Sequence, residues 1–165
     1  MVQIDFYQIG QAGLEQVMLM LLKKTLAANQ KALVLCPMPA ASAIDAALWS
    51  HDPESWIPHG LDDANGADYC DVWVSSDMAA NPIKAEYLFL LHGSAPAQWA
   101  GFTRCFCLFD GKSDSQLQQA RNQWKEWQEL DDTTLSYYAQ NAEGGWDKKT
   151  SLVSSDSVKS RLRDA

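Results

Sequence analysis

The sequence predicts an α/β fold: a single-domain, three-layer sandwich with a mainly parallel sheet and a long C-terminal helix. Three observations predict it. Short runs of strand-forming residues alternate along the chain with stretches whose apolar residues recur at helical spacing. Several of the strand runs are continuously apolar, as strands covered on both faces are. The chain of 165 residues, 47% hydrophobic and 21% charged, is long enough to bury such a core without disulfide or metal staples.

Residues 2–9 (VQIDFYQI) alternate and are rich in strand formers, which makes them the first strand. Gly10-Gln11-Ala12-Gly13 is a turn. Leu14, Val17, Met18, Leu21, Leu22 and Leu26 then form the apolar stripe of an amphipathic helix, closed by Asn29-Gln30. Residues 32–36 are a short continuous apolar run, read as a buried parallel strand, which Pro37 and Pro39 break. A second helix is expected over 40–50. Residues 51–67 are polar and turn-rich, too long for a simple connection, and long ordered loops tend to be functional. Residues 71–75 and 87–92 read as strands separated by a loop at Asn81-Pro82, 96–100 as a short helix, and 104–109 as another strand. From 113 to about 141 no Pro or Gly interrupts a helical pattern, which predicts the long helix. Gly144-Gly145 ends it. The expected organisation is one domain over 1–145 followed by a mobile basic tail over 146–165.

The net charge is −8. The last twenty residues carry five cations against three acids, so residues 1–145 alone stand at −10. Strong direct DNA binding is therefore not expected, because it relies on many cations that neutralise phosphates. No apolar run approaches the ~20 residues needed to cross a bilayer, and residues 1–9 lack the pattern of a signal peptide. A cytoplasmic protein without a membrane role is the expectation.

Little in the sequence assembles chemistry. Gly10-x-x-Gly13 has neither the spacing of a dinucleotide fingerprint nor the lysine of a phosphate loop. There is no Gly-x-Ser-x-Gly elbow. His51, His59 and His92 never pair at metal-ligand spacing, and the single Cys105-x-Cys107 lies in an apolar run whose alternation turns both thiols to one side of a sheet. With Cys36 and Cys70, these are expected to be buried structural cysteines. No cofactor and no metal are expected, and no catalytic residue is assigned. His92, before Gly93 at the end of a buried strand, and the turn at Gly10 mark the one crevice an enzyme of this class would use.

Seven tryptophans are many for this length, and two places concentrate them beside polar residues. Trp49 and Trp56 flank a proline-stiffened polar loop. They are either a satellite core or an aromatic patch for a partner, since Trp is a preferred anchor of interfaces. On the last helix, at 100° per residue, Leu117, Arg121, Trp124 and Gln128 share one face with Lys125 beside Arg121, and Ala120 and Trp127 turn toward the core. Only eight of the thirteen cations fall within residues 1–145, so two on one turn stand out. An aromatic between an apolar face and two cations suits a short peptide that is apolar and ends in a carboxylate. A solvated flank above a core tryptophan is the other reading of the same residues.

These residues also carry a family resemblance. Asp5-Phe6-Tyr7, Leu48-Trp49, Glu54-Ser55-Trp56-Ile57-Pro58-His59, Asn81-Pro82, the run at 87–91, Ala120-Arg121, Trp124-Lys125 and Trp127 resemble the chi subunit of bacterial DNA polymerase III over about residues 3–140. The block from Trp49 to Gly60 is the specific part. The resemblance implies a sheet similar to nucleotide-binding folds, without a nucleotide. It also implies a non-catalytic accessory protein of DNA replication, an adaptor within the clamp loader. Trp49, Trp56, Ile57, Pro58 and His59 match the region that faces the psi subunit. Leu117, Arg121, Trp124 and Lys125 match the helix that binds the acidic, hydrophobic-ended C-terminal tail of single-stranded DNA-binding protein. One basic position of that helix falls on Leu117, which weakens the cationic end unless Lys112 substitutes. Where psi is missing, the Trp49 loop would meet another partner, such as a helicase-type protein. The alternative function is a small-molecule or nucleotide-binding α/β enzyme using the crevice near Gly10 and His92.

Overall fold

The first strand, β1 (Val2–Ile9), shows how the chain sorts itself into layers. Val2, Ile4 and Phe6 point to one face of the sheet and Tyr7 and Ile9 to the other, each set in its own core cluster, as the two-residue period of a strand requires. In the computed structural model, which describes residues 1–38, 40–50, 59–61 and 66–154, β1 is followed by α1 (Leu14–Ala27), β2 (Ala32–Leu35), α2 (Ala40–Ser50) and β3 (His59–Leu61). A single 3-10 turn (Ala67–Tyr69) precedes β4 (Val72–Ser75), β5 (Tyr87–Leu91), β6 (Arg104–Asp110), α3 (Asp114–Trp127), β7 (Thr133–Gln140) and β8 (Trp146–Ser154). The strands form one sheet in the order β3-β4-β2-β5-β6-β1-β7-β8. Neighbours are parallel except the antiparallel hairpin β7–β8.

Two layers cover the sheet. α1 buries Val17, Met18, Leu21 and Leu22 on one face, together with Ala41, Ile44 and Leu48 of α2. Thr25, buried within α1, donates its hydroxyl to the Leu21 carbonyl at 2.9 Å, and Asn29 ends the helix in the left-handed region at φ 60°. The opposite face is covered by α3 through Ala120 and Trp127, and by loop residues such as Ile83, Ala85 and Phe102. All four cysteines are buried thiols, and Cys105 and Cys107 share the α3 face as their alternation predicts.

The C-terminal third departs from the sequence reading. The long helix over 113–141 ends at Trp127, and β7 runs parallel to β1 along its other side. Asp132, at φ 57°, turns the chain into β7 without glycine, a conformation that Asp tolerates better than most residues. Beyond it, Thr133-Thr134-Leu135-Ser136-Tyr137-Tyr138 supplies the strand that β1 needs to complete its hydrogen bonding. Trp146–Ser154, expected as the start of a mobile tail, is β8, paired with β7 along its length. The chain is thus sheet to residue 154, and the division after 145 falls inside a hairpin. Residues 96–100 form no helix; Ala97 instead donates its backbone N–H to the Met78 carbonyl at 2.9 Å. Within the expected loop over 51–67, His59–Leu61 adds a short edge strand parallel to β4.

One half-buried ion pair ties β1 to β6. The Asp5 carboxylate is fully buried and lies 3.1 Å from Arg104 Nη2, while Gln3 Nε2 donates to its other oxygen at 3.2 Å. The guanidinium also lies over the Phe106 ring at 4.8 Å. Removing one member of such a pair strands the other charge. Arg104→Ala is expected to lower the free energy of unfolding by about 3 kcal/mol, read as a lower urea midpoint. Asp5→Leu combined with Arg104→Met is expected to recover most of that loss.

Burial also sets an alkaline limit. It pushes the Cys107 thiol up to about 12 and the Cys105 thiol well above its ordinary value. Tyr7 rises to about 12, chiefly by burial and secondarily through Asp5. In each case the folded state holds its proton more tightly than the unfolded chain. The contribution is intact below the ordinary thiol pKa of 9.0 and is lost as pH climbs toward about 12, because the unfolded chain releases protons first. Urea midpoints measured from about pH 8 upward should therefore fall beyond about pH 9; a flat profile would contradict this.

Candidate functional site

The best-defined surface site is built on α3, and three anchors hold that helix. Ser113 caps it, accepting the Gln116 N–H at 3.3 Å, and Gln116 Oε1 accepts the Asp110 N–H at 2.9 Å. In the middle, Gln123 Nε2 donates to the carbonyls of Gly93 and Ser94, each at 3.1 Å, tying α3 to the turn after β5. Gly93 at φ 77° takes a conformation that favours glycine. The third anchor is aromatic. Phe6 lies 5.2 Å from Trp124 edge-on and 5.5 Å from Trp127, and Trp99 closes on Trp127 at 5.0 Å.

Tyr137 of β7 completes this cluster, 6.3 Å from Phe6 and 5.9 Å from Trp124. Its hydroxyl donates to Gln8 Oε1 at 2.5 Å. Above Trp124 and Tyr137 opens a groove of about 670 Å³. α3 lines it with Gln118, Arg121, Trp124, Lys125 and Gln128, β7 with Tyr137, and β8 with Thr150. Burial raises the Tyr137 phenol pKa, and the nearby Arg121 guanidinium works against the rise. Among the described residues no acid forms an ion pair with Arg121 or Lys125. The groove therefore offers two cations, with no acidic partner among the described residues, over an aromatic floor, a combination that can hold an anionic group joined to an apolar one.

Of the four residues expected here, the structure brings Arg121, Trp124 and Lys125 into one groove. Leu117 packs against the core beneath, and the residue at the groove on that turn is Gln118. Lys112 is exposed in the turn before α3, its backbone N–H on Asp110 Oδ1 at 2.9 Å, and does not line the groove. Tyr137 and Thr150 fall in segments where the sequence predicts helix and tail, so that pattern does not point to them. The usable signal is a run of strand formers over 133–138, rich in Thr and Tyr, followed by turn residues at Asn141 and Gly144-Gly145.

A second surface lies at the far edge of the sheet. Trp49, on the last turn of α2, is 60% exposed, its ring edge-on to His59 at 4.6 Å. The His59 side chain is buried, with Nε2 3.4 Å from Asp45 Oδ1 of α2, so β3 is clasped to that helix. Gly60 lies so close to Trp73 that a Cβ would fall 2.6 Å from the indole. Tyr69, 85% exposed, stands on the 3-10 turn that follows β3. Trp56, Ile57 and Pro58 lie outside the described residues.

The crevice near Gly10 and His92 is small, and two of its backbone donors are engaged. Gln140 Oε1 accepts the backbone N–H groups of Gly10 at 3.0 Å and Ala12 at 3.2 Å. These are two of the amides that a phosphate could use at a first strand-to-helix turn. The adjacent cavity of about 270 Å³ is lined mainly by Gly13, Leu14, Ala40, Ala43 and Ile44, with Glu15 and an exposed His92 as its polar members. Among the described residues, no three His, Cys, Asp or Glu side chains cluster as metal ligands, and no helix is long and apolar enough to cross a membrane.

Comparison with known proteins adds one finding. Residues 1–134 match the family described as DNA polymerase III chi subunit, HolC. No individual curated protein matches the chain. The match spans β1 through α3 and the first residues of β7, including Trp49, His59, Arg121, Trp124 and Lys125. The chain thus belongs to the DNA polymerase III chi subunit family, whose members are non-catalytic accessory subunits of the replicative polymerase holoenzyme.

Proposed function

We propose that this chain is a two-sided adaptor, with the α3 groove binding the C-terminal peptide of single-stranded DNA-binding protein and the α2–β3 edge binding a psi-like subunit of the clamp loader. The observation that carries the first half is the pair of cations, Arg121 and Lys125, that lines one groove with the Trp124 and Tyr137 rings. An acidic peptide with a hydrophobic last residue has the complementary pattern. Its side chain lies on the aromatic floor and its terminal carboxylate meets the guanidinium, whose fork of donors matches two carboxylate oxygens. The second half is supported by Trp49, an exposed indole held in place by His59 rather than free to fold back into the core. A rigid, exposed aromatic contributes contact area at low entropic cost.

Function then follows from coupling two moderate affinities. A micromolar contact corresponds to about −8 kcal/mol. Many peptide tails on coated single-stranded DNA raise the effective concentration at the groove. The excess of acid over residues 1–145 disfavours bare DNA and leaves the tail as the favoured route.

Fluorescence anisotropy with a labelled acidic peptide ending in a free Phe carboxylate tests the groove. Saturable binding that weakens with salt is expected, and Arg121→Ala should cost about 10- to 100-fold, the range for a charge-assisted hydrogen bond of about 1.5–3 kcal/mol. Wild-type protein that fails to bind at high micromolar concentration would overturn the reading. For the other face, Trp49→Ala should leave the melting temperature within a degree or two, because the indole is mostly exposed. It should also weaken co-purification with the clamp-loader complex by about 10-fold or more; undiminished co-purification would remove Trp49 from that interface.

A further inference from the structure

Two of the residues that line the α3 groove, Tyr137 and Thr150, lie beyond residue 134, where the family match ends. They are register partners across the β7–β8 hairpin. The next pair on the same face, Leu135 and Leu152, sits in the core beneath α3, so Thr150 faces α3 and not the opposite layer. The hairpin holds this position firmly. Its turn is closed by the Asn141 N–H on the Gly145 carbonyl at 2.9 Å, and Asn141 Oδ1 accepts the N–H groups of Glu143 and Gly145 at 3.1 and 2.9 Å. On the other face Trp146 packs edge-on against Tyr7 at 5.1 Å.

A bulge next to the groove divides the strand. Tyr137 pairs with Thr150 but Tyr138 pairs with Lys148, so Lys149 is the extra residue. Lys148 follows Tyr138 to the α1 side, its Nζ 6.0 Å from that ring. The strand side of the groove therefore presents Tyr137 and a small β-branched residue, Thr150, while the cations come from the helix side.

We infer that the β7–β8 hairpin forms the second wall of the peptide site and that Thr150 is a specificity-determining residue, whose small side chain leaves room for a bulky hydrophobic terminal residue between strand and helix. This rests on the groove being the peptide site. The terminal side chain lies between Trp124, Tyr137 and the Thr150 methyl, and the carboxylate sits on the Arg121 side.

The test uses the full chain and the Phe-ended acidic peptide. Thr150 is exposed on an edge strand, where Trp is well tolerated, so Thr150→Trp fills the groove without disturbing the core. It should weaken the peptide at least tenfold with an unchanged melting temperature, while Thr150→Ser stays within threefold of wild type. Wild-type binding by Thr150→Trp, alongside a collapse in Arg121→Ala, would keep the groove but overturn the hairpin wall. Binding unaffected by either variant would overturn both. A second measurement needs no variant: in a titration of ¹⁵N-labelled protein, the peptide should shift the Thr150 and Tyr137 amides together with the Trp124 indole N–H. A shift of Trp124 with a stationary Thr150 amide would overturn the inference.

Discussion

The packing of Phe6 is the contact on which the α3 groove depends. This fully buried ring in β1 meets Trp124 and Trp127 from α3 and Tyr137 from β7. Aromatic rings of this size bury large apolar areas and prefer definite offsets and edge contacts. The ring therefore fixes the height of α3 over the sheet and the tilt of the two residues that floor the groove. Arg121 and Lys125 need no packing of their own, because the helix that carries them is already placed.

β1 is correspondingly constrained on both edges and both faces. It pairs with β6 on one side and β7 on the other, and carries a core residue to each face. The buried Asp5 and its partner Arg104 add a polar restraint. A slip of β6 by one residue would pull the guanidinium from the carboxylate and turn every β6 side chain to the wrong face. Such a pair contributes more to fixing register than to net stability, since the desolvation of both charges offsets much of their attraction.

The turn after β1 shows a nucleotide-like topology adapted to another use. A parallel strand entering a helix presents backbone N–H groups that could hold a phosphate. Here the Gln140 side chain accepts those of Gly10 and Ala12, and in doing so ties the end of β7 to the start of α1. The same amides hold the sheet together at the end of the hairpin that walls the groove.

Much of this was legible in the chain. Alternation in residues 2–9, the apolar runs at 32–35 and 87–91 and the stripe of α1 determined those elements, because local period and burial agree there. Helical angle alone placed Arg121, Trp124 and Lys125 on one face and Ala120 and Trp127 toward the core. What only the tertiary structure decided begins after Trp127. Residues 128–141 contain no Gly or Pro, so nothing local stops a helix. The turn at Asp132 and the strand beyond it are dictated by the unpaired edge of β1, whose backbone groups need partners that only a distant segment can supply. Tyr137 and Thr150 entered the groove by that route, through pairing between segments far apart in sequence, which no local pattern around Trp124 encodes.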